Sequence, residues 1–193
     1  MNWMLMPLKR YADFSGRSRR MEFWMWQVFK FLVGAVFMVI FMVVFGAAFA
    51  TIGSKDPNQI DAAQLIAASG TVLVIWMIYM IFCLAILIPD IAVGVRRLHD
   101  TNRSGWWLLA PIASYFIGII AVVATAGVGA SMGANDQVST GLMATGGIIG
   151  LVVMLVTLGL VLTLLVFWFL DGTPGPNRYG PDPKGRDASQ VFA

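Results

Sequence analysis

The sequence predicts an all-α membrane protein with four transmembrane helices, a short N-terminal interfacial segment and both termini in the cytoplasm. Its composition, 59% hydrophobic and 12% charged with a mean hydropathy of +0.79, is too apolar for a soluble domain. Four apolar runs are long enough to cross a bilayer, and Lys and Arg are concentrated on one side of the predicted topology. We therefore expect a single membrane domain over residues 1–193.

The apolar runs define the spans, because crossing roughly 30 Å of hydrocarbon takes about 20 helical residues. The predicted spans are residues 31–52, 65–88, 106–127 and 148–170. Pro111 lies early in the third span, where we expect a kink. Residues 127–140 are rich in Gly, Ala and Ser and are expected to form a flexible loop. The glycine-rich residues 141–147 that follow are expected to lie outside the hydrocarbon, since a span starting there would be too long. Gly146 and Gly150 have a spacing that favours close helix approach, either inside the bundle or between protomers.

The distribution of positive charge predicts the orientation. Twelve of the 13 Lys and Arg residues lie in segments 1–30, 89–105 and 171–193, and Lys55 alone lies in the other two connections. Positively charged flanks are retained in the cytoplasm during membrane insertion. The three segments are therefore expected on the cytoplasmic side of a bacterial inner (plasma) membrane.

These three segments contain the motifs of the chain. They are Gly16-Arg17 with Arg20, Glu22 and Trp24; Pro89 with Arg96-Arg97-Leu98-His99-Asp100 and Arg103-Ser104-Gly105-Trp106-Trp107; and Asn177-Arg178-Tyr179-Gly180 with Asp182-Pro183. In this order they resemble the domain of unknown function (DUF) 805 family of bacterial inner-membrane proteins. Asn102 stands where a glycine is usual in that family, and Arg19 where a small residue is usual. The resemblance implies a multi-pass inner-membrane protein and supplies no catalytic residues.

The polar residues of these segments have two interpretations. Arginine grips phosphate or carboxylate with a planar fork, so converging arginines would make a phosphate-sized site. Alternatively, the arginines pair with carboxylates and fasten the helix ends together. The candidate cluster for either role comprises Arg17, Arg20, Glu22, Asp90, Arg96, Arg97, His99, Asp100, Arg103, Asn177, Arg178 and Tyr179. If the second helix continues past Pro89, the spacing of Asp90 and Arg97 predicts an ion pair between them.

Two residue types in these segments have simpler explanations. His99 is the only histidine, and because adjacent helical residues do not face each other, His99 and Asp100 are not expected to form a catalytic pair. Capping or hydrogen bonding is expected of His99 instead. Tryptophan favours the headgroup region, so five tryptophans are expected to anchor the helices at the interface. These anchors are Trp24, Trp26, Trp106, Trp107 and Trp168.

The leading hypothesis for function is a non-enzymatic accessory or structural subunit whose cytoplasmic Arg/Trp-rich face binds anionic lipid headgroups or a partner protein. A small oligomeric transporter or channel is the second hypothesis, although the spans contain few polar residues. The third is a lipid-phosphate enzyme at the interface that uses Arg96, Arg97, His99 and Asp100, although it lacks a recognisable nucleophile. No cofactor, no metal and no nucleic acid partner is expected, and a homo-oligomer or a membrane-protein partner stays open.

Overall fold

A computed structural model describes residues 3–53, 62–131 and 137–186. In this part of the chain the helices are α1 (Met6–Lys9), α2 (Arg20–Gly53), α3 (Ala62–Asp100), α4 (Leu109–Ser131) and α5 (Gln137–Phe169). Short 3-10 turns cover Trp3–Leu5 and Gly105–Leu108. The predicted all-α fold class is confirmed, because α2 to α5 are the four described helices that are long and apolar enough to cross a membrane.

The second spanning helix is longer than the sequence predicted. α3 continues through Pro89 to Asp100, well past the predicted end of the span at residue 88. A proline inside a helix removes one backbone donor, but here it does not end the helix. The Arg96 to Asp100 motif therefore lies on the last turns of α3 and not in a loop.

Two local predictions about the third and fourth spans are wrong. Pro111 lies in the first turn of α4, where its missing N–H leaves no helical hydrogen bond unmade, so the proline marks a helix start and not a kink. Most of the predicted loop is helical, because α4 extends to Ser131 and α5 begins at Gln137. Residues 132–136 of that predicted loop lie outside the described residues.

Close packing between α4 and α5 explains why these glycine-rich segments are helical. Gly150 lies against Val122, and Gly146 lies against Thr125, so the two helices approach closely through these positions. A methyl group at Gly118 would overlap Val153 in the same way. The glycine spacing noted in the sequence thus serves packing within the chain, where tertiary contact outweighs the low helix propensity of glycine.

The chain divides into two compact units. The first comprises Met1–Phe14 and Met21–Val93, and the second comprises Ser15–Arg20 and Gly94–Ala193. In the first unit, the Phe37 ring on α2 packs against Tyr79 and Phe82 on α3, with ring centroids 5.2 and 6.1 Å apart. The Tyr11 hydroxyl donates a hydrogen bond to the Ala85 carbonyl at 2.5 Å, which ties the N-terminal segment to α3.

The second unit has a small apolar core beneath its polar residues. Leu98, Leu164 and Phe167 are buried together, with Leu108 and Trp168 packed against them. The core thus joins the end of α3, the 3-10 turn before α4 and the end of α5. The end of α3 also carries Arg97 and Asp100 of the candidate site.

Candidate functional site

The site is built on the turn that ends α3. Asn102 donates its backbone N–H to the His99 carbonyl at 3.0 Å, and Arg103 donates to the Leu98 carbonyl at 2.9 Å. With a φ of 58°, Asn102 has the left-handed conformation that this type of helix end requires. Glycine adopts that conformation most easily and asparagine tolerates it, so Asn102 is suited to this position.

Asp100 is the centre of a buried ion-pair cluster. Its Oδ1 accepts from Arg17 Nε at 2.9 Å, and its Oδ2 accepts from Arg97 Nη1 at 2.5 Å. The side chains of all three residues are at most 3% exposed. We term Arg17, Arg97 and Asp100 the Asp100 cluster. One carboxylate faces two guanidinium groups here, so further acceptors are needed to satisfy the remaining N–H donors.

Arg17 finds those acceptors on the C-terminal tail. Its Nη1 donates to the Gly175 carbonyl at 2.7 Å, and its Nη2 donates to the Thr173 carbonyl at 2.6 Å. The Asp182 carboxylate lies 3.9 Å from the same guanidinium group. In return, Thr173 donates its backbone N–H to the Asp100 carbonyl at 2.9 Å. Arg17 thereby joins the N-terminal segment, the end of α3 and the tail.

Arg97 and Arg20 satisfy the C-terminal carbonyls of α5. Arg97 donates to the Trp168 carbonyl at 3.2 Å and also to the Leu170 carbonyl. Arg20 donates to the Phe169 carbonyl at 3.3 Å. The last carbonyls of a helix have no intrahelical donor and carry partial negative charge, so cations are favoured at this end. These two arginines therefore cap α5.

Gly172 leaves the space that the Asp100 carboxylate occupies. A Cβ atom at residue 172 would overlap the Asp100 carboxylate oxygens. The requirement for glycine here is steric and does not come from an unusual backbone angle. Gly172 is thus part of the site.

His99 forms a stack with the tail. Its ring lies 3.8 Å from the Tyr179 ring at an interplanar angle of 5°, and the Arg178 guanidinium carbon lies 4.7 Å from the Tyr179 centroid. His99 Nδ1 is 3.2 Å from the Gly16 carbonyl, a contact that requires the proton on Nδ1. The Asn177 side chain donates to the His99 carbonyl at 2.9 Å and accepts from the Tyr179 N–H at 2.9 Å. The turn that contains Asn177, Arg178 and Tyr179 therefore packs against the end of α3.

His99 and Asp100 have different partners, as the sequence predicted from their adjacency. The carboxylate of Asp100 contacts two arginines, whereas the His99 ring contacts a carbonyl and a tyrosine ring. This geometry supports hydrogen bonding by His99, in agreement with the simpler interpretation.

Asp182 forms hydrogen bonds within the C-terminal tail. Its carboxylate accepts from Arg186 Nε at 2.8 Å and from the Lys184 backbone N–H at 2.9 Å, and its side chain is fully buried. Burial by itself would raise the pKa of the Asp182 carboxyl. The hydrogen bonds from Arg186 and Lys184, with the positive charges of Arg186 and Arg17, outweigh burial and hold the pKa below its ordinary value.

This lowered pKa predicts a loss of stability on acidification. Because the pKa of Asp182 is lower in the folded state, its contribution is present above the unfolded pKa of about 3.9 and is lost as pH falls through the folded pKa. Thermal unfolding of the detergent-solubilised protein between pH 6 and pH 3 measures this loss of stability. We expect Asp182→Asn to lower the melting temperature at pH 6, and the difference from wild type to shrink below about pH 4. A difference that stays constant with pH would contradict this assignment.

A second set of motif residues lies at the surface of the same unit. We term these residues the exposed rim: Arg103, Trp106, Trp107 and Arg178. Arg103 is half-buried, and the other three side chains are exposed. Trp106 is 76% exposed and Trp107 37%. The Arg103 guanidinium carbon lies 3.6 Å from the Phe167 ring centroid, and Phe167 meets Trp107 edge to face at 5.4 Å. Arg178 donates to the Asn102 carbonyl at 3.2 Å. Within the described ranges, neither rim arginine is paired with a carboxylate.

Several predicted site residues lie elsewhere. Asp90 belongs to the first unit, where it accepts from Lys30 Nζ at 2.5 Å and from Trp26 Nε1 at 2.9 Å. The predicted Asp90–Arg97 ion pair is therefore wrong. Each of the two groups has another partner, since Asp90 pairs with Lys30 and Arg97 pairs with Asp100. Glu22 and Arg96 are also buried, at 3% and 0% exposed.

The five predicted tryptophan anchors differ in their exposure. Trp26 is fully buried and gives its N–H to Asp90, so it packs inside the protein and does not face headgroups. A buried indole needs such an acceptor, and Asp90 supplies it. Trp24 and Trp168 are half-buried, which leaves Trp106 and Trp107 as the exposed pair.

Sequence reasoning missed the backbone acceptors that complete the site. The carbonyls of Thr173, Gly175 and Trp168 bind arginines, but every residue has a carbonyl, so no sequence signal distinguishes these three. Lys30, the partner of Asp90, could have been found from its place directly before the first apolar run. Each of the two charges lies just outside a predicted span.

Comparison with known proteins covers nearly the whole chain. The family model "Protein of unknown function (DUF805)" matches residues 11–181. The chain is 30% identical over 184 residues to "Inner membrane protein YhaI" of Escherichia coli (strain K12), covering 95% of this chain and 97% of that relative. It is equally 30% identical over 184 residues to "Inner membrane protein YhaH" of the same strain, covering 95% and 98%.

A third relative is "Uncharacterized protein YiiR" of the same strain, 31% identical over 171 residues, which cover 88% of this chain and 85% of the relative. No solved structure matches the chain. The region that the family model matches contains all three stretches that meet at Asp100: residues 15–20, the end of α3 and the tail to residue 181. The family resemblance predicted from the motifs is confirmed, and the chain belongs to the DUF805 family.

Proposed function

We propose that this chain is a non-enzymatic, multi-pass protein of the bacterial inner membrane with both termini in the cytoplasm, and that its exposed rim binds the phosphate of anionic lipid headgroups. The Asp100 cluster has the separate task of holding the helix ends together. The observation that carries the proposal is the division of the motif arginines. Arg17 and Arg97 are buried against Asp100 and backbone carbonyls. By contrast, Arg103 lies over the Phe167 ring that Trp107 also contacts, and Arg178 is exposed and donates to the Asn102 carbonyl.

Contacts within the second unit support the topology. Arg17 contacts the carbonyls of Thr173 and Gly175 and the carboxylate of Asp100, so the N-terminal segment, the end of α3 and the tail meet at one point. Segments that touch belong on one side of a bilayer. The concentration of Lys and Arg in these segments favours the cytoplasmic side, and the names of the relatives YhaI and YhaH favour the inner membrane.

The chemistry of the rim supports a lipid phosphate as its ligand. Indole rings favour headgroup depth, and a half-exposed arginine beside them can reach a phosphate while its stem stays on apolar surface. Each arginine at an anionic surface contributes about 1 kcal/mol before screening. The cation–π contact with Phe167 holds the Arg103 guanidinium in place, so less rotamer freedom is lost on binding.

Removing the rim charges tests the lipid proposal. Native mass spectrometry of protein released from nanodiscs of equal phosphatidylglycerol and phosphatidylcholine would report the retained lipid. For Arg103→Gln with Arg178→Gln we expect retained phosphatidylglycerol to fall by about tenfold or more, at about 1 kcal/mol per arginine. The control pair Lys9→Gln with Arg10→Gln removes the same charge from the N-terminal segment and should change retention little. Equal loss in both pairs, or an unchanged lipid count with a stoichiometric protein partner, would overturn the proposal.

Reporter fusions test the orientation independently. A green fluorescent protein fused after Ala193 should fluoresce, because that protein matures in the cytoplasm, and alkaline phosphatase fused there should be inactive. An active phosphatase with a dark fluorescent fusion would show that the C-terminus lies outside the cytoplasm and would contradict the proposed orientation.

A further inference from the structure

A groove lies between α2 and α3 in the first unit. Its volume is about 790 Å³, within the range of roughly 300–1,000 Å³ typical of small-molecule sites. One end of its lining is polar, with Gln27, Lys30 and Asp90. The rest of the lining is mainly apolar, which gives the groove the two-part character of a site for an amphiphile.

The polar end carries one positive and one negative charge side by side. Lys30 Nζ lies 2.5 Å from Asp90 Oδ1, and the two side chains remain 24% and 34% exposed. The Trp26 indole N–H also donates to Asp90, which fixes the carboxylate at the groove mouth. Lys30 directly precedes the predicted span 31–52, and Asp90 follows the predicted span 65–88 by two residues, so we expect both charges near the headgroups.

The apolar part of the groove runs from this charge pair along both helices. Phe31, Ala35 and Met38 line it from α2, and Phe82 and Ile86 line it from α3. Gly34 keeps the α2 side open, because the nearest atom to a Cβ there would be the Tyr79 hydroxyl at 3.9 Å. A chain of methylene groups fits this lining because it makes apolar contact and needs no hydrogen bond.

We infer that this groove binds one phospholipid whose headgroup carries both a phosphate and a primary ammonium, with the phosphate on Lys30, the ammonium on Asp90 and an acyl chain along the apolar lining. The charge pair discriminates among headgroups. A headgroup that carries only a phosphate is attracted to the Lys30 ammonium but is repelled by the Asp90 carboxylate. A choline headgroup has both charges but no N–H to donate to the carboxylate. A primary ammonium satisfies Asp90 with charge and hydrogen bonds together.

Lipid competition with the full chain tests the headgroup assignment. Nanodiscs of equal phosphatidylethanolamine, phosphatidylglycerol and phosphatidylcholine with identical acyl chains would be dissolved, and lipid retained on the protein counted by native mass spectrometry. We expect one retained phosphatidylethanolamine. Asp90→Asn keeps an acceptor for Trp26 but removes the charge, and should reduce the preference for ethanolamine over choline by about tenfold. Asp171→Asn, which changes an exposed carboxylate of the second unit, should leave the preference unchanged.

Filling the groove tests the acyl site without touching the charges. Ala35→Trp should abolish the retained phosphatidylethanolamine, whereas Ala47→Trp, exposed on the same helix outside the groove, should retain it. Both variants should elute as monodisperse protein. The rim pair Arg103→Gln with Arg178→Gln should retain this lipid too, so a failure of the proposed rim function leaves this result readable. Equal retention of all three lipids by wild type, or full retention by Ala35→Trp, would overturn the inference.

Discussion

Replacing Asp100 by asparagine is expected to destabilise the second unit by about 3–5 kcal/mol, because it leaves two buried guanidinium groups without their shared carboxylate. Asparagine keeps the shape and one acceptor, so the loss reports charge and not a cavity. The tail should separate from the end of α3, since Arg17 contacts both. Denaturant unfolding of the protein in detergent micelles, followed by tryptophan fluorescence, measures the change.

The matched control for this prediction is Asp171→Asn. Asp171 also accepts from cationic side chains, Arg20 and Lys184, but its side chain is 56% exposed. Water replaces the lost contacts of an exposed carboxylate and salt screens them, so the control should unfold close to wild type. If Asp100→Asn unfolded with the control, the buried cluster would not stabilise the fold.

Gly172→Ala is expected to destabilise the same unit by about 1–3 kcal/mol, the usual range when a side chain is forced into filled space. The new methyl group would overlap the Asp100 carboxylate, which cannot move away without breaking its contacts with Arg17 and Arg97. Gly159→Ala is the control, because a Cβ there meets nothing within 4 Å. In a helix interior that change should stabilise slightly, since alanine has the higher helix propensity.

A double-mutant cycle identifies the steric cause. Asp100→Ala removes the carboxylate that the new methyl group would meet, so Gly172→Ala should cost much less in that background than in wild type. Additive effects would show that Gly172 is needed for a reason other than the space occupied by Asp100.

The fold could be predicted from the sequence because lipid imposes a simple requirement on composition. Long uncharged runs must form helices to satisfy their backbone groups, and that holds for each of the four spans. The helix ends were harder to predict. α3 passes through Pro89, and α4 and α5 continue through glycine-rich residues, because packing against neighbours outweighs local propensity.

The sequence indicated candidate residues for the site but not the contacts among them. The motifs contain Arg17, Arg97 and Asp100, and these three side chains form buried ion pairs, which is one of the two interpretations that the sequence left open. The sequence could not tell which arginine meets which carboxylate, because partners are set by depth and helix rotation. Asp90 illustrates this, since it pairs with Lys30 on another helix and not with an arginine of its own.

The contact between Arg17 and Gly175 has a consequence for biogenesis. The two residues are 158 positions apart, so this hydrogen bond can form only after almost the entire chain has left the ribosome. Until then Arg17 and Arg97 lack the carbonyls that complete their coordination, and the nascent protein holds charged groups that water must solvate. Completion of the tail is therefore the step that converts four inserted helices into a stable product. We expect a chain truncated before residue 173 to keep its four long helices and to lose the carbonyl acceptors that Thr173 and Gly175 provide for Arg17.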